Sequence, residues 1–452
     1  MLDLAIVNGL VCDTRHKKRI AASVGIKDGK IAVLGEGPLE AARTIDARGL
    51  LVCPGFIDVH GHVDGHLYSG RLAACQGITT TVGGNCGLSP RDMGEFLDRQ
   101  EREGFPIHQL ELVGHSFTLR QQVGLDDPYQ KASPAQIAQM EELAEEAMKL
   151  GACGVSLGLD YAPGASLLEL EAMARVNARY GRIMPVHSRL FTQADLYSLY
   201  ELLAVAKKTG VQLLLSHFVY QYSGFGVLED ALEIVDRAIA RGVDVRVDSG
   251  MYTDWATFVG TATFDEETIR DNGLVFGDML VATGPYTGQR LDRELYLEMR
   301  EKYPDDSLIC FSGEPWEVWA VLEKSYAMPS TDIGAYAPGQ GHPQIAGSFP
   351  KYFREMVLER GLLSWDEAVY KATLYPVITY NIPNKGVVEP GYDADLVLMD
   401  PRNIRDRADF PDRGLPDAPP DGLPYVIVAG ELAVDGGVYQ DTRSGRMLRQ
   451  PI

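Results

Sequence analysis

Basic residues are scarce in this sequence relative to acidic ones. The chain of 452 residues carries 42 lysines and arginines against 63 aspartates and glutamates, which leaves a formal net charge of −21. Proteins that bind nucleic acids concentrate lysine and arginine on one face. The charge balance therefore argues against a nucleic-acid partner and is typical of a chain that is simply kept soluble by its acidic surface.

Cysteine and long apolar segments are scarce as well. The six cysteines are spread thinly along the chain, unlike the dense disulfide framework of a small secreted domain. No run of about 18 uncharged apolar residues occurs. The first residues, MLDLAIVNGLVCD, lack a basic segment followed by an apolar run and a small-residue cleavage site. These absences predict a cytoplasmic chain without a membrane span.

The sequence does contain a regular alternation of strand and helix patterns. Residues 1–53 are predicted to form short strands with turns, as the first half of a β-sandwich, and residues 385–452 its second half. Residues 54–384 alternate apolar strands with helical stretches, which is typical of a parallel sheet. The long gap at about 255–325 predicts an inserted helical lobe over the barrel mouth. The candidate strands are LLVCPGFIDVH, ITTTVGGN, HQLELVGH, GVSLGLD, IMPVH, VQLLLSH, VDVRVDSGM and YAMPSTD.

These strands predict the fold class, because a TIM-type (β/α)8 barrel requires eight of them. They also predict the active site, because polar side chains stand at or just beyond their carboxyl ends, where barrels of this type build their sites. Five of the nine histidines share this position, which random scatter would not produce. The residues concerned are His60, His62, Cys86, His115, His187, His217 and Asp332.

Several of these residues could bind a metal. In FIDVHGH, His60 and His62 are two residues apart on an extended backbone, so both imidazoles point to one face. Such a pair alone is weak evidence for a metal site, because two histidines at this spacing also occur on solvated surfaces or in the core. Joined by His187 and His217 it gives four converging imidazoles, a ligand type that zinc accepts. Cys86 could bind or bridge a cation as a thiolate, although an isolated cysteine is more often a small core residue.

Asp332 follows the last strand of the predicted barrel, in YAMPSTDIG. A carboxylate there could bind one ion weakly and also shuttle a proton. The other interpretation is a helix N-cap, which is a common position for aspartate after a strand.

At this point the chain resembles a known family, the N-acyl-D-amino acid deacylases (D-aminoacylases) of the amidohydrolase superfamily. The resemblance covers nearly the whole chain, and NCG at Cys86 distinguishes this branch from relatives with a carboxylated lysine. The motifs that carry it are PGFIDVHGHVD, GITTTVGGNCGLSP, LVGHSFTLR, GACGVSLGLDYAPG, VHSR, SHF, STD, HPQIAGSFP, GYDADLVLMDP and RSGRMLR.

The resemblance implies specific roles for these residues. It implies that His187, His217 and Cys86 hold a tightly bound zinc, with a second, weaker metal position lined by the remaining ligands, His60, His62 and Asp332. Asp332 would act as the general base and then as the general acid. Tyr161, in GLDYAPG, would polarise the scissile carbonyl, although the pattern alone indicates a packing aromatic. His115 receives no ligand role and would support the pocket wall.

The chain departs from the family pattern where the family binds the acidic end of its substrate. Val219 stands where lysine is usual, and Gln344 stands where arginine is usual. The family segment Asp-x-Tyr-Pro-Tyr reads DSGMYT here, which keeps Asp248 and Tyr252 but loses the first tyrosine and the proline. Carboxylate recognition normally depends on arginine or lysine, so either Arg189 or Arg290 replaces the missing charge, or the substrate is neutral at that end.

The expected function is therefore hydrolysis of a C–N bond in a small-molecule amide, with a metal-bound hydroxide attacking the carbonyl and Asp332 moving the proton. Deacylation of an N-acyl-D-amino acid is the first candidate by resemblance. Ring opening of a neutral hydantoin, imide or lactam, a deaminase, and a non-catalytic scaffold are the alternatives. Occupancy by one or two metals and assembly into a homo-oligomer are left open by the sequence.

Overall fold

The computed structural model describes residues 1–189 and 196–450. The β-strands in this part of the chain are, in order, β1 (Leu2–Asp13), β2 (Lys18–Lys27), β3 (Lys30–Gly35), β4 (Ala41–Asp46), β5 (Leu51–Pro54), β6 (Phe56–Asp58), β7 (Ile78–Gly83), β8 (His108–Glu111), β9 (Val113–Gly114), β10 (Val155–Gly158), β11 (Ile183–His187), β12 (Gln212–Leu215), β13 (Val245–Ser249), β14 (Trp255–Phe258), β15 (Met279–Val281), β16 (Ser307–Cys310), β17 (Ala327–Pro329), β18 (Leu396–Met399), β19 (Tyr425–Val428), β20 (Glu431–Asp435) and β21 (Val438–Tyr439).

The α-helices in the same part of the chain are α1 (Leu67–Cys75), α2 (Met93–Glu103), α3 (Arg120–Gln122), α4 (Pro134–Leu150), α5 (Leu167–Arg179), α6 (Tyr197–Thr209), α7 (Phe218–Tyr222), α8 (Leu228–Ala240), α9 (Glu266–Asp271), α10 (Arg293–Lys302), α11 (Pro315–Glu323), α12 (Gln344–Phe353), α13 (Trp365–Ala372) and α14 (Leu374–Tyr380). Short 3₁₀ or π turns occupy Asn85–Gly87, His115–Leu119, Ala262–Phe264, Phe276–Asp278 and Arg354–Glu359. Within the described residues, no helix is both long and apolar enough to cross a membrane.

Local sequence signals set the ends of the helices. Helix α4 begins with a capping box, in which the Ser133 side chain accepts from the Gln136 backbone and Gln136 bonds back to Ser133. Pro134 occupies the first turn, where its missing N–H costs nothing. The helix ends at Gly151, which adopts the left-handed conformation that glycine tolerates. Such caps fix the length of each helix between two strands.

Parallel strands form the barrel, as the sequence predicted. Strands β6, β7 and β8 pair side by side, and a second run continues from β9 through β10, β11, β12 and β13 to β17. Only Leu112 separates β8 from β9, and a bridge between Gly61 and Ile333 joins the first and last strands. Counting β8 and β9 as one strand gives eight. The predicted fold class, a TIM-type barrel with a β domain, is confirmed.

The two ends of the chain form one sheet beside the barrel. In the described residues its order is β21-β20-β19-β18-β5-β1-β2-β3, and β4 pairs in parallel with the first half of β1, ahead of the part of β1 that pairs with β5. Strand β18 pairs antiparallel with β5, so the C-terminal segment attaches directly to the N-terminal one. The predicted strand LLVCPGFIDVH is divided here at Gly55, with β5 in this sheet and β6 in the barrel.

The insertion between β13 and β17 differs from the expected helical lobe. It contains helices α9 and α10, but also a three-stranded antiparallel sheet in the order β14-β16-β15. Its own apolar core includes Phe264, Met279 and Leu308. The pairing of Trp255–Phe258 with Ser307–Cys310 joins segments far apart in sequence. A local periodicity does not reveal such a pairing, and this explains the error.

A buried charge network connects the β domain to the barrel. Asp395 Oδ1 lies 3.0 Å from His108 Nε2 on β8 and accepts a hydrogen bond of 2.7 Å from the Ala429 backbone N–H. Lys385 Nζ donates to the other carboxylate oxygen. Burial alone would raise the pKa of Asp395, but the charges of His108 and Lys385 outweigh it and hold that pKa well below its usual range.

We expect Asp395→Asn to lower the free energy of unfolding by about 3 kcal/mol, because the buried Lys385 would keep only Asp393, 3.0 Å away, as a charge partner. Urea unfolding at neutral pH measures this. Asp435→Asn is the control: Asp435 pairs with Arg43 on the same sheet but at the surface, so its loss should cost less than about 1 kcal/mol. Equal effects of the two variants would contradict the structural role of the network.

Candidate metal centre

The predicted ligands converge at the carboxyl ends of the barrel strands. His60 follows β6, Cys86 follows β7, and His187 is the last residue of β11. His217 follows β12, and Asp332 follows β17. Because all these strands are parallel, their ends meet at one mouth of the barrel. Residues distant in sequence therefore surround one small volume.

The backbone at three of these residues is unusual. Cys86, His217 and Asp332 have φ angles of 53°, 32° and 55°. Non-glycine residues rarely adopt positive φ, and holding one there costs of order 1 kcal/mol or more. The surrounding structure must compensate for this cost. Backbone strain at three residues whose side chains point into the same volume is typical of a functional site that needs those side chains in fixed positions.

Two groups of donor atoms share His60. Cys86 Sγ lies 3.3 Å from His60 Nε2 and 3.4 Å from His217 Nε2. Asp332 Oδ1 lies 3.2 Å from His62 Nε2 and 3.5 Å from His60 Nε2. Within each group, His60–Cys86–His217 and His60–His62–Asp332, the ligand atoms lie within 4.8 Å of one another. One cation could bind in each group.

The donor set fits a divalent metal. The Nε2 atoms of His60, His62 and His217 face the thiol or the carboxylate, and the buried Nδ1 of His187 has no partner among the described residues, which is costly unless that nitrogen binds a ligand. A thiolate with imidazoles is the soft to intermediate ligand type that zinc prefers, and a carboxylate completes a second position. The residues present therefore fit the metal that the resemblance implies.

The electrostatics of the cluster favour a thiolate and a carboxylate. Burial alone would raise the pKa of Cys86, but the neighbouring His60 and His217 outweigh it and lower that pKa well below its usual value. The pKa of Asp332 is likewise lowered, because its contacts with His62 and His60 outweigh burial. Burial would lower the pKa of His62, yet Asp332 and Cys86 raise it to about 10. A bound cation would replace these imidazolium protons.

His187 stands at the edge of the cluster. Its Nε2 lies 3.3 Å from Gln221 Nε2 and 3.8 Å from Asp160 Oδ2. Its ring packs edge-on against the His217 ring, with the centroids 4.5 Å apart. His60 and His217 form the three-donor group with Cys86, and His187 also hydrogen-bonds to Cys86 from the edge of the cluster.

Asp248 connects the cluster to the barrel, a role that the sequence did not reveal. It is completely buried at the end of β13. Its Oδ1 accepts from the His217 backbone N–H at 2.9 Å and from the Ser330 hydroxyl at 2.8 Å. Its Oδ2 lies 3.3 Å from His60 Nδ1. A carboxylate behind a ligand histidine fixes the ring orientation and raises the basicity of the nitrogen that faces the metal. The only sequence feature that could have indicated this role is the position of Asp248 near the carboxyl end of the strand VDVRVDSG.

We therefore expect Asp248→Asn to weaken metal binding about 10- to 100-fold, because His60 loses its orienting charge. Competition with a chromophoric chelator measures the affinity directly. Asp244→Asn, at the opposite end of the same strand and at the surface, is the matched control and should leave the affinity unchanged. Identical affinities for all three proteins would show that Asp248 has only a packing role.

A cavity of about 610 Å³ opens above the cluster. On the barrel side, the predicted residues that line it are His62, Cys86, Tyr161, His217 and Asp332. The inserted lobe forms the opposite wall with Ala256, Thr257, Phe258, Thr283, Asp305, Asp306 and Ser307. The Tyr161 hydroxyl lies 3.0 Å from Thr257 Oγ1, so this tyrosine spans from the barrel to the lobe.

The residues expected to bind substrate lie outside the cavity lining. Val219 is completely buried. The Gln344 side chain accepts from the Tyr220 hydroxyl at 2.9 Å and donates to the Asp332 carbonyl oxygen at 2.7 Å. Tyr252 packs against His342, with the ring centroids 5.0 Å apart.

The two candidate arginines are engaged elsewhere. Arg189 pairs with Glu201 at 2.9 Å and donates to the carbonyl oxygens of Pro163 and Ala165. Arg290 pairs with Asp412 at 2.9 Å. His115 is buried beside Glu169 at 3.4 Å, away from the cavity lining.

Comparison with known proteins agrees with this geometry. Family models for amidohydrolases match residues 43–97 and 318–432. N-acyl-D-glutamate deacylase of Alcaligenes xylosoxydans xylosoxydans is 31% identical over 99% of this chain and 97% of its own.

Solved structures show the same relation. A D-aminoacylase described as having a binuclear metal centre superposes with a TM-score of 0.88 at 26% identity, over 100% of both chains. N-acyl-D-glutamate deacylase of Bordetella bronchiseptica, complexed with zinc and a phosphonate inhibitor, gives 0.86 at 28% identity over 99% of both chains. The chain therefore belongs to the N-acyl-D-amino acid deacylase family of the amidohydrolases, enzymes that hydrolyse carbon–nitrogen bonds other than peptide bonds.

Proposed function

We propose that this chain is a zinc-dependent hydrolase that removes an acyl group from a small amine-containing substrate. The observation that carries the proposal is the position of Cys86 Sγ, between His60 Nε2 and His217 Nε2 at 3.3 and 3.4 Å, at the base of the cavity. A buried thiolate with two imidazoles and an adjacent carboxylate can hold a catalytic metal and handle a proton. Deacylation of an N-acyl-D-amino acid is the first candidate, because the relatives named above are deacylases of that kind.

We assign the tight zinc to Cys86 and His217 together with His187, and the weaker second position to His60, His62 and Asp332. His60 borders both positions. Bound zinc would supply a Lewis acid and an activated water. About one tightly held zinc per chain is the expected content, because three protein ligands and an open position are typical of a catalytic zinc.

The residues of the chain would divide the chemistry between them. Asp332 Oδ1 would accept the proton of the attacking water and pass it to the leaving nitrogen. The Tyr161 hydroxyl, at the cavity wall, would donate a hydrogen bond to the scissile carbonyl oxygen and stabilise the charge that develops there. Gln344 contributes indirectly, since its bond to the Asp332 carbonyl oxygen holds the segment that carries the base.

A neutral cyclic amide is the second candidate. It is favoured by Val219 and Gln344, which bring no positive charge to positions where the family pattern has lysine and arginine. A hydantoin, imide or lactam needs no cationic partner, whereas burying an unpaired carboxylate is costly.

The test is a substrate panel with zinc-loaded protein. N-acetyl-amino acids of both hands, their amides, the related hydantoins and free nucleobases are incubated separately, and amine release, ring opening and ammonia release are measured. We expect amine release that prefers one hand and disappears with a chelator. Ring opening alone would replace the first candidate by the second, and ammonia release from nucleobases alone would identify a deaminase. No hydrolysis by a protein that retains its metal would refute both candidates.

A further inference from the structure

The charge of the cavity walls indicates which substrates this site selects. We propose that the end of the substrate remote from the scissile bond carries a positively charged amine, and that Asp305 and Asp306 on the inserted lobe recognise it. This inference rests on the proposed hydrolase function. It goes further because it names the chemistry of the group that the lobe binds.

The cavity is lined by carboxylates, and its only basic side chains among the described residues are histidines, His62 and His217 of the metal cluster and His66. Asp305 and Asp306 belong to the lobe wall, and Asp64 lies on the barrel side beside the metal cluster. No lysine or arginine occurs among the lining residues that the structure describes. The segment LFTQAD at 190–195, outside those residues, contains no lysine or arginine either. No arginine or lysine is therefore in place to hold a substrate carboxylate.

The lobe carboxylates are not neutralised by the protein. Among the described residues, neither Asp305 nor Asp306 forms an ion pair. Asp306 Oδ1 accepts a single hydrogen bond of 2.9 Å from the Thr283 hydroxyl, which orients the carboxylate without cancelling its charge. An uncompensated pair of negative charges at a cavity wall attracts cations and repels anions.

Aromatic rings on the same cavity reinforce this preference. Phe117, Phe258 and Tyr336 all contribute to the lining. The faces of such rings attract ammonium groups. Carboxylates together with aromatic rings form the usual environment for a bound organic cation. A substrate carboxylate beside Asp305 and Asp306 would be repelled by their negative charges. It would also be buried without a cationic partner, so its binding would be weakened for both reasons.

The inference is tested with three N-acetylated amino acid amides of matched length that differ only at the end of the side chain. Nα-acetyl-lysinamide ends in an ammonium group, the amide of N-acetyl-2-aminoheptanoate in a methyl group, and the α-amide of N-acetyl-2-aminoadipate in a carboxylate. We expect kcat/KM to be at least about tenfold higher for the ammonium compound than for the methyl compound, and lowest for the carboxylate. The preference should fall as the ionic strength rises.

A double variant locates the effect. In Asp305→Asn/Asp306→Asn the ratio of kcat/KM for the ammonium compound to that for the methyl compound should fall below about threefold. The matched control is Asp271→Asn/Asp278→Asn, which alters the lobe charge equally at exposed positions outside the cavity lining. The control should keep the full preference. An equal loss in both double variants would attribute the effect to the overall charge of the protein and overturn the assignment of Asp305 and Asp306.

A binding measurement distinguishes a failure of this inference from a failure of the proposed hydrolase function. If none of the three compounds is hydrolysed, their dissociation constants for zinc-loaded Asp332→Asn are measured by calorimetry. Tighter binding of the ammonium compound, lost in the variant that also carries Asp305→Asn and Asp306→Asn, would support the charge selectivity even though the hydrolase proposal had failed. Equal or tighter binding of the carboxylate compound would overturn it.

Discussion

Asp332→Asn is expected to lower turnover about a thousandfold or more while the protein keeps its fold and its tightly bound metal. The carboxylate Oδ1 lies 3.2 Å from His62 Nε2 and 3.5 Å from His60 Nε2, beside the place where the attacking water must lose its proton. General acid–base catalysis by one positioned side chain contributes about 10²- to 10⁴-fold. Asparagine preserves the shape of the side chain but cannot accept that proton.

The measurement is kcat for the best substrate of the panel, together with zinc content and the circular dichroism spectrum. Asp278→Asn, an exposed change on the lobe, is the control and should retain full turnover. If Asp332→Asn kept more than about a tenth of the wild-type turnover, Asp332 would have only a packing or metal-binding role and another base would be required, because no helix of the described chain begins near Asp332 for it to cap.

Removal of the thiolate should have an equally large effect, through loss of the metal itself. Cys86→Ser is expected to reduce the zinc content of dialysed protein from about one per chain to less than about a tenth, because a serine hydroxyl stays protonated where the thiol ionises. His217→Ala should behave in the same way. Hydrolysis should fall in proportion to the zinc content. Elemental analysis gives the metal, and excess zinc in the assay should restore little activity.

Three further variants make this result specific. Cys75→Ser changes a cysteine on α1 outside the metal cluster, and should keep both metal and activity. His187→Ala and His60→Ala distinguish the two assignments of the tight position. Loss of zinc in His187→Ala alone supports the set implied by the resemblance, whereas loss in His60→Ala alone would assign the tight site to the group His60–Cys86–His217. Unchanged zinc in Cys86→Ser would contradict both sets.

The barrel could be predicted from the sequence because its signals are local. Strands such as β11 and β12 are short, mainly apolar runs of buried residues, and polar residues stand at or just after the same end of each. The parallel topology then brings these ends together without any further information. His60, Cys86, His217 and Asp332 were therefore recognisable as one group before any distance between them was known.

The lobe could not be predicted in the same way. Strand β14 pairs with β16 across an intervening segment that holds β15 and two helices. Pairing at that distance depends on packing over the whole lobe, which a local pattern does not encode. The same holds for Asp305 and Asp306, which in sequence are two acidic residues in a turn. Their place on the cavity wall follows only from the way in which the lobe covers the barrel.

The sequence by itself thus determined the fold class, the donor types and the base candidate, because residue identity and strand period are local properties. The tertiary structure decided which donors are neighbours, since Cys86 contacts His60 across 26 residues and His217 across 131. It also decided that Asp248 supports His60 and that Gln344 holds Asp332. These relations depend on distances of a few ångströms between side chains on different strands. Hydrogen bonds and Coulomb interactions at such distances act only after the barrel has closed.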